Sequence, residues 1–303
     1  MLSIYLSDDR IKIVDGQIKG KKFYIKKFAE TVTDVGSIET GSIKDVLAFT
    51  QAIQSLMNEN GIKPQKVVVV LDNSRIVFRE QEVPALPEKK LKVILMSDLF
   101  SDAKSKNYVI DYVVDEQFKG EDNKKRYRIH VTYQTSDAIN SIAKGVNELS
   151  MKCMSIDVAQ NSISKLMADT GTLSGLNLLI DYENTFISLY ILDGNKRRFS
   201  KSSIMYTKPP EDTPPDWEYF VKEFQNNIVS VCNFYEQKNK GAKIDNIYLT
   251  GNISALPDAF IQQLANVTKM PVSYLPCPNN VIGMDHFDFN NYSSAIGALI
   301  IRK

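Results

Sequence analysis

Taken from the N-terminus, apolar and polar positions alternate first with a period of two and then with a period near 3.6. Leu2 to Leu6, Ile11 to Val14 and Lys22 to Phe28 read as three strands, with Asp15-Gly16 as the hairpin signal between the second and third. Between Ser42 and Asn58 the residues Val46, Phe49, Ile53, Leu56 and Met57 recur at three-to-four spacing, and Asn60-Gly61 ends the pattern. That spacing predicts an amphipathic helix. Val67 to Leu71, four valines and a leucine between polar flanks, predicts a central strand covered on both faces.

The same order recurs in the second half. Asn177 to Asp181, Phe186 to Leu192 and Arg197 to Ile204 read as strands, with Asp193-Gly194 at the second turn. Trp217, Phe220, Val221, Phe224, Ile228, Val231, Cys232 and Tyr235 form a helical stripe over Trp217 to Gln237, and Ile247 to Thr250 reads as another buried strand. Leu2 and Asn177, Ile11 and Phe186, Lys22 and Arg197, and Ser42 and Trp217 are each 175 positions apart. The chain therefore contains an internal repeat of three strands, a helix and a strand. Thr170 to Gly175 has glycines four apart but no following Lys, so it reads as a linker between the halves rather than a phosphate loop.

Between the repeats lies a different segment. Pro84, Pro87 and Glu88-Lys89-Lys90 open it. Tyr108 to Val114 and Arg126 to Tyr133 both alternate, the latter placing Tyr127, Ile129, Val131 and Tyr133 on one face and Arg126, Arg128, His130 and Thr132 on the other. This predicts an antiparallel sheet with one wet face, joined by a charged turn at Gly120 to Lys125 and followed by a helix through Ile139, Ile142, Ala143, Val146 and Leu149. The expected division is a first lobe at 1–86, an inserted α+β subdomain at 87–152 and a second lobe at 153–303. A terminal helix over 292–303 is expected to pack back on the first lobe.

Charge narrows the function. Lys and Arg number 37 against 36 Asp and Glu, a formal charge of +1, which gives no chain-wide field for nucleic acid or anionic lipid. With 43% hydrophobic residues and 303 positions the chain is long enough for two cores. No apolar stretch approaches the ~18 residues of a membrane span, and Met1 to Leu6 lacks the basic lead-in of a secretory signal, so a cytosolic protein without direct membrane insertion is expected. Cys153, Cys232 and Cys277 are scattered and odd in number, and read as buried free thiols.

Candidate chemistry is sparse. His130 lies on the polar strand face and reads as solvated; Asp285-His286-x-Asp288 sits in a loop without a further His or Cys and reads as loop polarity rather than a metal site. Neither a nucleophile elbow nor a Cys/His signature is present. The carboxylate pairs Asp8-Asp9 and Asp181/Glu183 follow strands in corresponding places of the two repeats. In duplicated folds such turns point into an interlobe cleft and cradle phosphates where glycine permits close backbone approach.

These features together resemble the actin-like ATPase superfamily, and within it the PilM-type proteins of type IV pilus assembly. Val83-Pro84-Ala85-Leu86-Pro87-Glu88-Lys89-Lys90-Leu91 is similar to that family's way into its inserted subdomain, and Met151 to Val158 to the way out. Leu179-Ile180-Asp181 with Leu189 to Gly194 resembles the second phosphate hairpin, followed by Phe199 to Ser202. Ile244 to Gly251, Leu256-Pro257 and Met270-Pro271-Val272 resemble the adenosine region, and Tyr292 to Leu299 the terminal helix. The strings run in register over nearly the whole chain. The resemblance implies an α/β, actin-like, RNase H-like duplicated two-lobed fold with an inserted subdomain.

The departures from the family pattern are specific. The first phosphate hairpin, Asp-x-Gly followed by small hydroxyl residues in the family, here holds Tyr5, Ser7 and Asp8-Asp9; the second keeps Asp181 but has Glu183 at the glycine position. The adenosine glycine run becomes Gly251-Asn252-Ile253. One carboxylate ~5 Å from a phosphate oxygen costs about 3 kcal/mol at an effective dielectric of 20, roughly two powers of ten in affinity. Between Ile204 and Trp217 the chain carries Pro209, Pro210, Pro214 and Pro215, too short and proline-rich for the helical fourth subdomain, so that lid is expected to be shortened or missing.

The resemblance thus implies a cytoplasmic scaffold of a type IV pilus machine that does not hydrolyse ATP and needs no cofactor. It would bind the N-terminal cytoplasmic segment of a PilN-like inner-membrane protein in a groove bordered by Val83, Leu86, Tyr108 and Tyr112, with the pilus motor ATPase and platform proteins as further partners. Its location would be peripheral to the inner face of the membrane, through its partner. The alternative is a nucleotide-binding actin-like ATPase using ATP with Mg²⁺, whose cofactor-binding residues would be Ser7, Lys12, Asp181, Asn184, Thr185, Thr250 and Gly251. A third reading is an actin-like cytoplasmic subunit of a related secretion system. No catalytic or metal residue is assigned.

Overall fold

The computed structural model describes residues 1–74, 76–99, 107–207, 214–239, 241–257 and 259–301. In the first half β1 (Leu2–Leu6), β2 (Arg10–Lys19) and β3 (Lys22–Val32) form an antiparallel meander. The short β4 (Ile38–Glu39) and β5 (Ser42–Ile43) pair before α1 (Val46–Glu59), whose N-cap Asp45 accepts from Ala48 N. The chain then returns as β6 (Lys66–Leu71), parallel to β1. After the insert, β10 (Lys152–Val158) adds in parallel beside β6.

The second half repeats this. β11 (Leu176–Glu183), β12 (Phe186–Asp193) and β13 (Lys196–Ile204) form a meander, α5 (Pro214–Lys238) crosses over, and β14 (Asn246–Gly251) lies parallel to β11. The helix α6 (Phe260–Thr268) then leads to β15 (Val272–Tyr274), parallel to β14. The sheet orders are β10-β6-β1-β2-β3-β16 and β13-β12-β11-β14-β15, where β16 (Val281–Ile282) is an extra edge strand on the first sheet. Without it the two orders are the same.

Strand periodicity distributes the core. In β6, Val67, Val69 and Leu71 pack outward with Leu2, Ile4 and Leu6 against Phe49, Ile53 and Leu56 of α1. Val68 and Val70 pack inward with Tyr5 and Val14 against α4 (Ala159–Thr170) and α7 (Phe289–Ala298). In β11, Leu178, Ile180 and Tyr182 face Phe220 and Phe224 of α5, whereas Leu179 faces the shared middle layer. A helix pair is thus sandwiched between two sheets, each covered on its outer face as well. The close crossing of α4 and α7 requires Gly297, since a Cβ there would run into the carbonyl oxygen of Ser162.

Several sequence expectations are corrected. Asp15-Gly16 is not a turn: β2 runs through it with a bulge and the turn lies at Gly20, with φ +61°. Glycine is placed at 16 by packing, because a Cβ would stand 2.6 Å from Leu299 Cδ1. Asp193-Gly194 does make the matching turn, Gly194 having φ +55°. The insert's sheet, in the order β7 (Val77–Pro84), β9 (Lys125–Thr135) and β8 (Tyr108–Lys119), begins in sequence with β7, so the boundary expected at 87 falls after its first strand. The helix expected to close the insert, α3 (Ser136–Glu148), packs instead on the first lobe, where Ile142 and Val146 join the α1 cluster. The terminal helix starts at Phe289 and touches β14 of the second sheet as well as β1, β2 and β6 of the first. Of the cysteines only Cys232 is buried; Cys153 is half-buried and Cys277 exposed. The stretch 208–213, which holds part of the expected lid loss, lies outside the described residues, as do the side chains of 214–217, including Trp217 of the expected stripe.

Candidate functional site

The C-terminal ends of β1 and β11 point to the same place. Inward-facing positions alternate with the outward-facing core, so Tyr5 on β1, Lys12 on β2, and Asp181 and Glu183 on β11 all turn toward the space between the sheets. The two β-turns are equivalent in register: Ser7 N bonds to Arg10 O across Asp8-Asp9, and Glu183 pairs with Phe186 across Asn184-Thr185. Asp181 and Glu183 therefore lie inside a strand, not in the turn where their sequence position first suggests, and both are buried.

The turns are bonded to each other. Lys12 Nζ donates to Glu183 Oε1 at 2.7 Å, a fully buried ion pair between the two sheets. Asn184 Nδ2 donates to Asp9 Oδ2 at 3.2 Å, and Asn252 Nδ2 to Asn184 Oδ1 at 2.8 Å, linking both turns to the loop after β14. Ser7 Oγ donates to Asp9 Oδ1 at 2.8 Å, and Gly41 N to Asp8 Oδ1 at 2.9 Å. Lys12 also stands 4.8 Å from the centroid of the Tyr5 ring.

Beneath these turns the cluster is unusually acidic. Tyr5 OH donates to Asp72 Oδ2 at 3.0 Å, and Ser294 Oγ on α7 to Asp181 Oδ2 at 3.1 Å. Three buried carboxyls, on Asp72, Asp181 and Glu183, thus surround a single ammonium. Burial first, and then the charges of Asp181 and Glu183, hold the Asp72 carboxyl well above the usual range. Burial and the neighbouring Glu183 push Asp181 up to about 7. Glu183 is raised by burial and pulled back by Lys12.

The remaining expected residues have structural partners. Thr250 Oγ1 donates to Asn290 O at 3.2 Å and lies 3.0 Å from Ser293 Oγ, tying β14 to α7. Gly251, at φ +88°, allows the chain to pass Tyr182 O, which a Cβ would strike. Thr185 is exposed, and its carbonyl accepts from Met205 N at 2.9 Å. The structure brings Ser7, Lys12, Asp181 and Asn184 near one another and adds Asp72, which sequence reasoning did not single out. The signal was the repeat itself: Asp72 N bonds to Leu6 O after β6 just as Asn252 N bonds to Tyr182 O after β14.

The expected groove residues fall elsewhere. Val83, 2% exposed, belongs to the insert's own core with Leu91 and Leu95 of α2 (Glu88–Leu99) and with Ile129 and Val131 of β9 (Lys125–Thr135), and Tyr112 packs on that cluster. Tyr108 stacks edge-on against Tyr133 at 5.8 Å, and Leu86 is half-buried. Alternation along the strands puts Val83 and Tyr112 under α2, so they seal the insert rather than border a groove. The opposite face, expected to be wet, leans on the second lobe: Lys238 pairs with Glu80 at 3.3 Å, Arg197 stands 5.5 Å from the Phe78 ring, and His130 is buried. Burial, then Arg197, pulls the His130 pKa down to about 4. Asp288, from the loop pattern around His286, caps α7 by accepting from Asn290 N and Asn291 N.

Among the described residues no helix is long and apolar enough to cross a membrane. No protein-family model and no curated protein matches the sequence. Solved structures do match. The chain superposes on one from a PilM–PilN type IV pilus biogenesis complex with a TM-score of 0.78 at 14% identity, over 98% of this chain and 97% of the other. It superposes on a Bacteroides thetaiotaomicron protein of actin-like ATPase fold and unknown function with a TM-score of 0.55 at 12% identity, over 99% and 95% of the two chains. The fold is the duplicated actin-like fold with an inserted subdomain.

Proposed function

We propose that this chain is a PilM-like scaffold on the cytoplasmic face of a type IV pilus machine, that it holds the N-terminal segment of a PilN-like membrane protein, and that it does not hydrolyse ATP. The observation that carries this reading is the superposition, over nearly all of both chains, on a PilM–PilN complex. The partner segment is expected to add to the insert by main-chain pairing along β8 (Tyr108–Lys119), an outer strand of its sheet with Val109, Val113 and Val114 exposed.

The absence of turnover is supported by chemistry at the turns. In this fold the triphosphate lies between the two hairpins, and here that approach is spanned by the Asp9–Asn184 bond and backed by the Lys12–Glu183 pair. The Lys12 charge is already engaged, and Asp8 and Asp9 add negative charge at the first turn. The residues present do not fit a nucleotide triphosphate.

Calorimetry with the full chain tests both parts. A PilN-type N-terminal peptide is expected to bind while millimolar Mg·ATP gives no heat. Micromolar ATP binding with hydrolysis abolished by Asp181→Ala would replace the scaffold reading with the ATPase one, and absence of peptide binding would remove the partner.

A further inference from the structure

One deeply buried cation has no carboxylate in ion-pair contact among the described residues. Arg197 on β13 is 8% exposed and makes no ion pair among the described residues. Its Nη1 donates to Gln160 O at 3.0 Å, its Cζ stands 5.5 Å from the centroid of the Phe78 ring, and its Nε has no partner. A guanidinium keeps its charge in proteins, so a buried Nε–H left without an acceptor is costly.

Arg197 lines a cavity of about 90 Å³ with His130, Thr132, Val113, Ile156 and Asn161. His130 is also 8% exposed, and its Nε2 is without a partner. Two carboxylates share the wall, and both are already engaged. Asp157 takes Lys165 at 2.6 Å, Asn161 at 2.7 Å and Ser162 at 2.9 Å; Asp111 takes Lys92 at 3.4 Å. Arg197 itself has no carboxylate within ion-pair distance among the described residues, and the charges of Asp115 and Asp157 act on it only from farther off.

We propose that this cavity is a carboxylate-binding site, in which one carboxylate group pairs with Arg197 and takes a second hydrogen bond from His130 Nε2. The volume suits a single carboxylate on a short stem, and Val113, Ile156 and Val158 offer that stem apolar contact. Asp111 and Asp157 set like charge against any anion here, about twice as strongly against a phosphate dianion as against a singly charged carboxylate. The carboxylate arrives either on a free small acid or on an acidic side chain of a peptide. The site does not rest on the scaffold reading.

Thermal unfolding of the full chain with sodium acetate replacing sodium chloride at constant ionic strength tests it. The expected result is a saturable rise in Tm of about 3 °C at ~10 times Kd, abolished by Arg197→Met and by Val113→Phe, which fills the mouth from an exposed position. If Arg197→Met does not fold, Val113→Phe decides. An acetate response equal to that of chloride, one unchanged in the folded variants, or a larger one to phosphate overturns the proposal. An end-blocked Ala-Ala-Glu-Ala-Ala peptide that acts at tenfold lower concentration than acetate, with its Gln counterpart silent, assigns the carboxylate to a peptide. Acetate and propionate acting while the Glu peptide is silent assigns it to a free acid.

Discussion

Lys12 and Glu183 form an ion pair, 2.7 Å between Nζ and Oε1 and 2% exposed at each side chain, that joins the first hairpins of the two duplicated sheets. The pair occupies the place where the resemblance to actin-like ATPases implies phosphate chemistry. Its buried position means that each partner depends on the other far more than a surface pair would.

Removing one partner should therefore cost more than removing both. Lys12→Met is expected to destabilise by about 3 to 5 kcal/mol, because it strands Glu183 without its cation. The double variant Lys12→Met/Glu183→Leu should recover most of that loss. Urea unfolding of the single and double variants measures the difference, and an additive double variant would show that the pair is not coupled.

The acidic cluster gives a pH signature. Asp181 titrates at about 7 when folded, against 3.8 for an ordinary aspartate. Between those values the folded state holds the extra proton, so stability falls as pH rises from about 4 to about 7 and levels off above. Asp181→Asn should flatten this limb, gaining on the wild type by up to about 4 kcal/mol between pH 4 and 8. Denaturant titrations at four or five pH values measure the gap; a pH-independent gap would contradict the assignment.

His130 acts with the opposite sign. Its folded pKa of about 4 lies below the ordinary 6.5, so the unfolded state holds more protons in between, and stability is lost as pH falls from 6.5 toward 4. His130→Gln should remove up to about 3 kcal/mol of that dependence. Because the Asp181 limb runs the other way over the same range, the wild-type profile alone will look flatter than either contribution. An NMR titration of the His130 ring gives the pKa directly.

Gly297→Ala separates propensity from packing. In an exposed helix this change would stabilise by about 1 kcal/mol. Here the new Cβ meets Ser162 O, so α7 must move off α4. Destabilisation of about 1 to 3 kcal/mol is expected, read as a lower Tm; a rise in Tm would show that the crossing has room to relax.

Much of this architecture was legible without coordinates because period-two and period-3.6 patterns report which faces are buried. The run Val67 to Leu71 divides between two clusters as its unbroken hydrophobicity predicts, and the repeat of three strands, a helix and a strand reappears as two sheets of the same order. Asp15-Gly16 misled because a glycine needed for close packing against Leu299 looks, in sequence, like one needed for a turn. His130 misled because alternation says which residues share a face but not what will cover it.

The sequence by itself determined the duplication and the insert, since each depends only on local spacing and residue type, and its resemblance to actin-like ATPases marked Ser7 and Glu183 as standing where that family has glycine. Only the tertiary structure decided that Glu183 meets Lys12, that Asp72 joins Asp181 in one buried cluster, and that Arg197 Nε is buried without an acceptor. Those outcomes depend on residues far apart in the chain being desolvated together. In a low-dielectric interior the fate of a charge is set by its neighbours in space, which no one-dimensional pattern records.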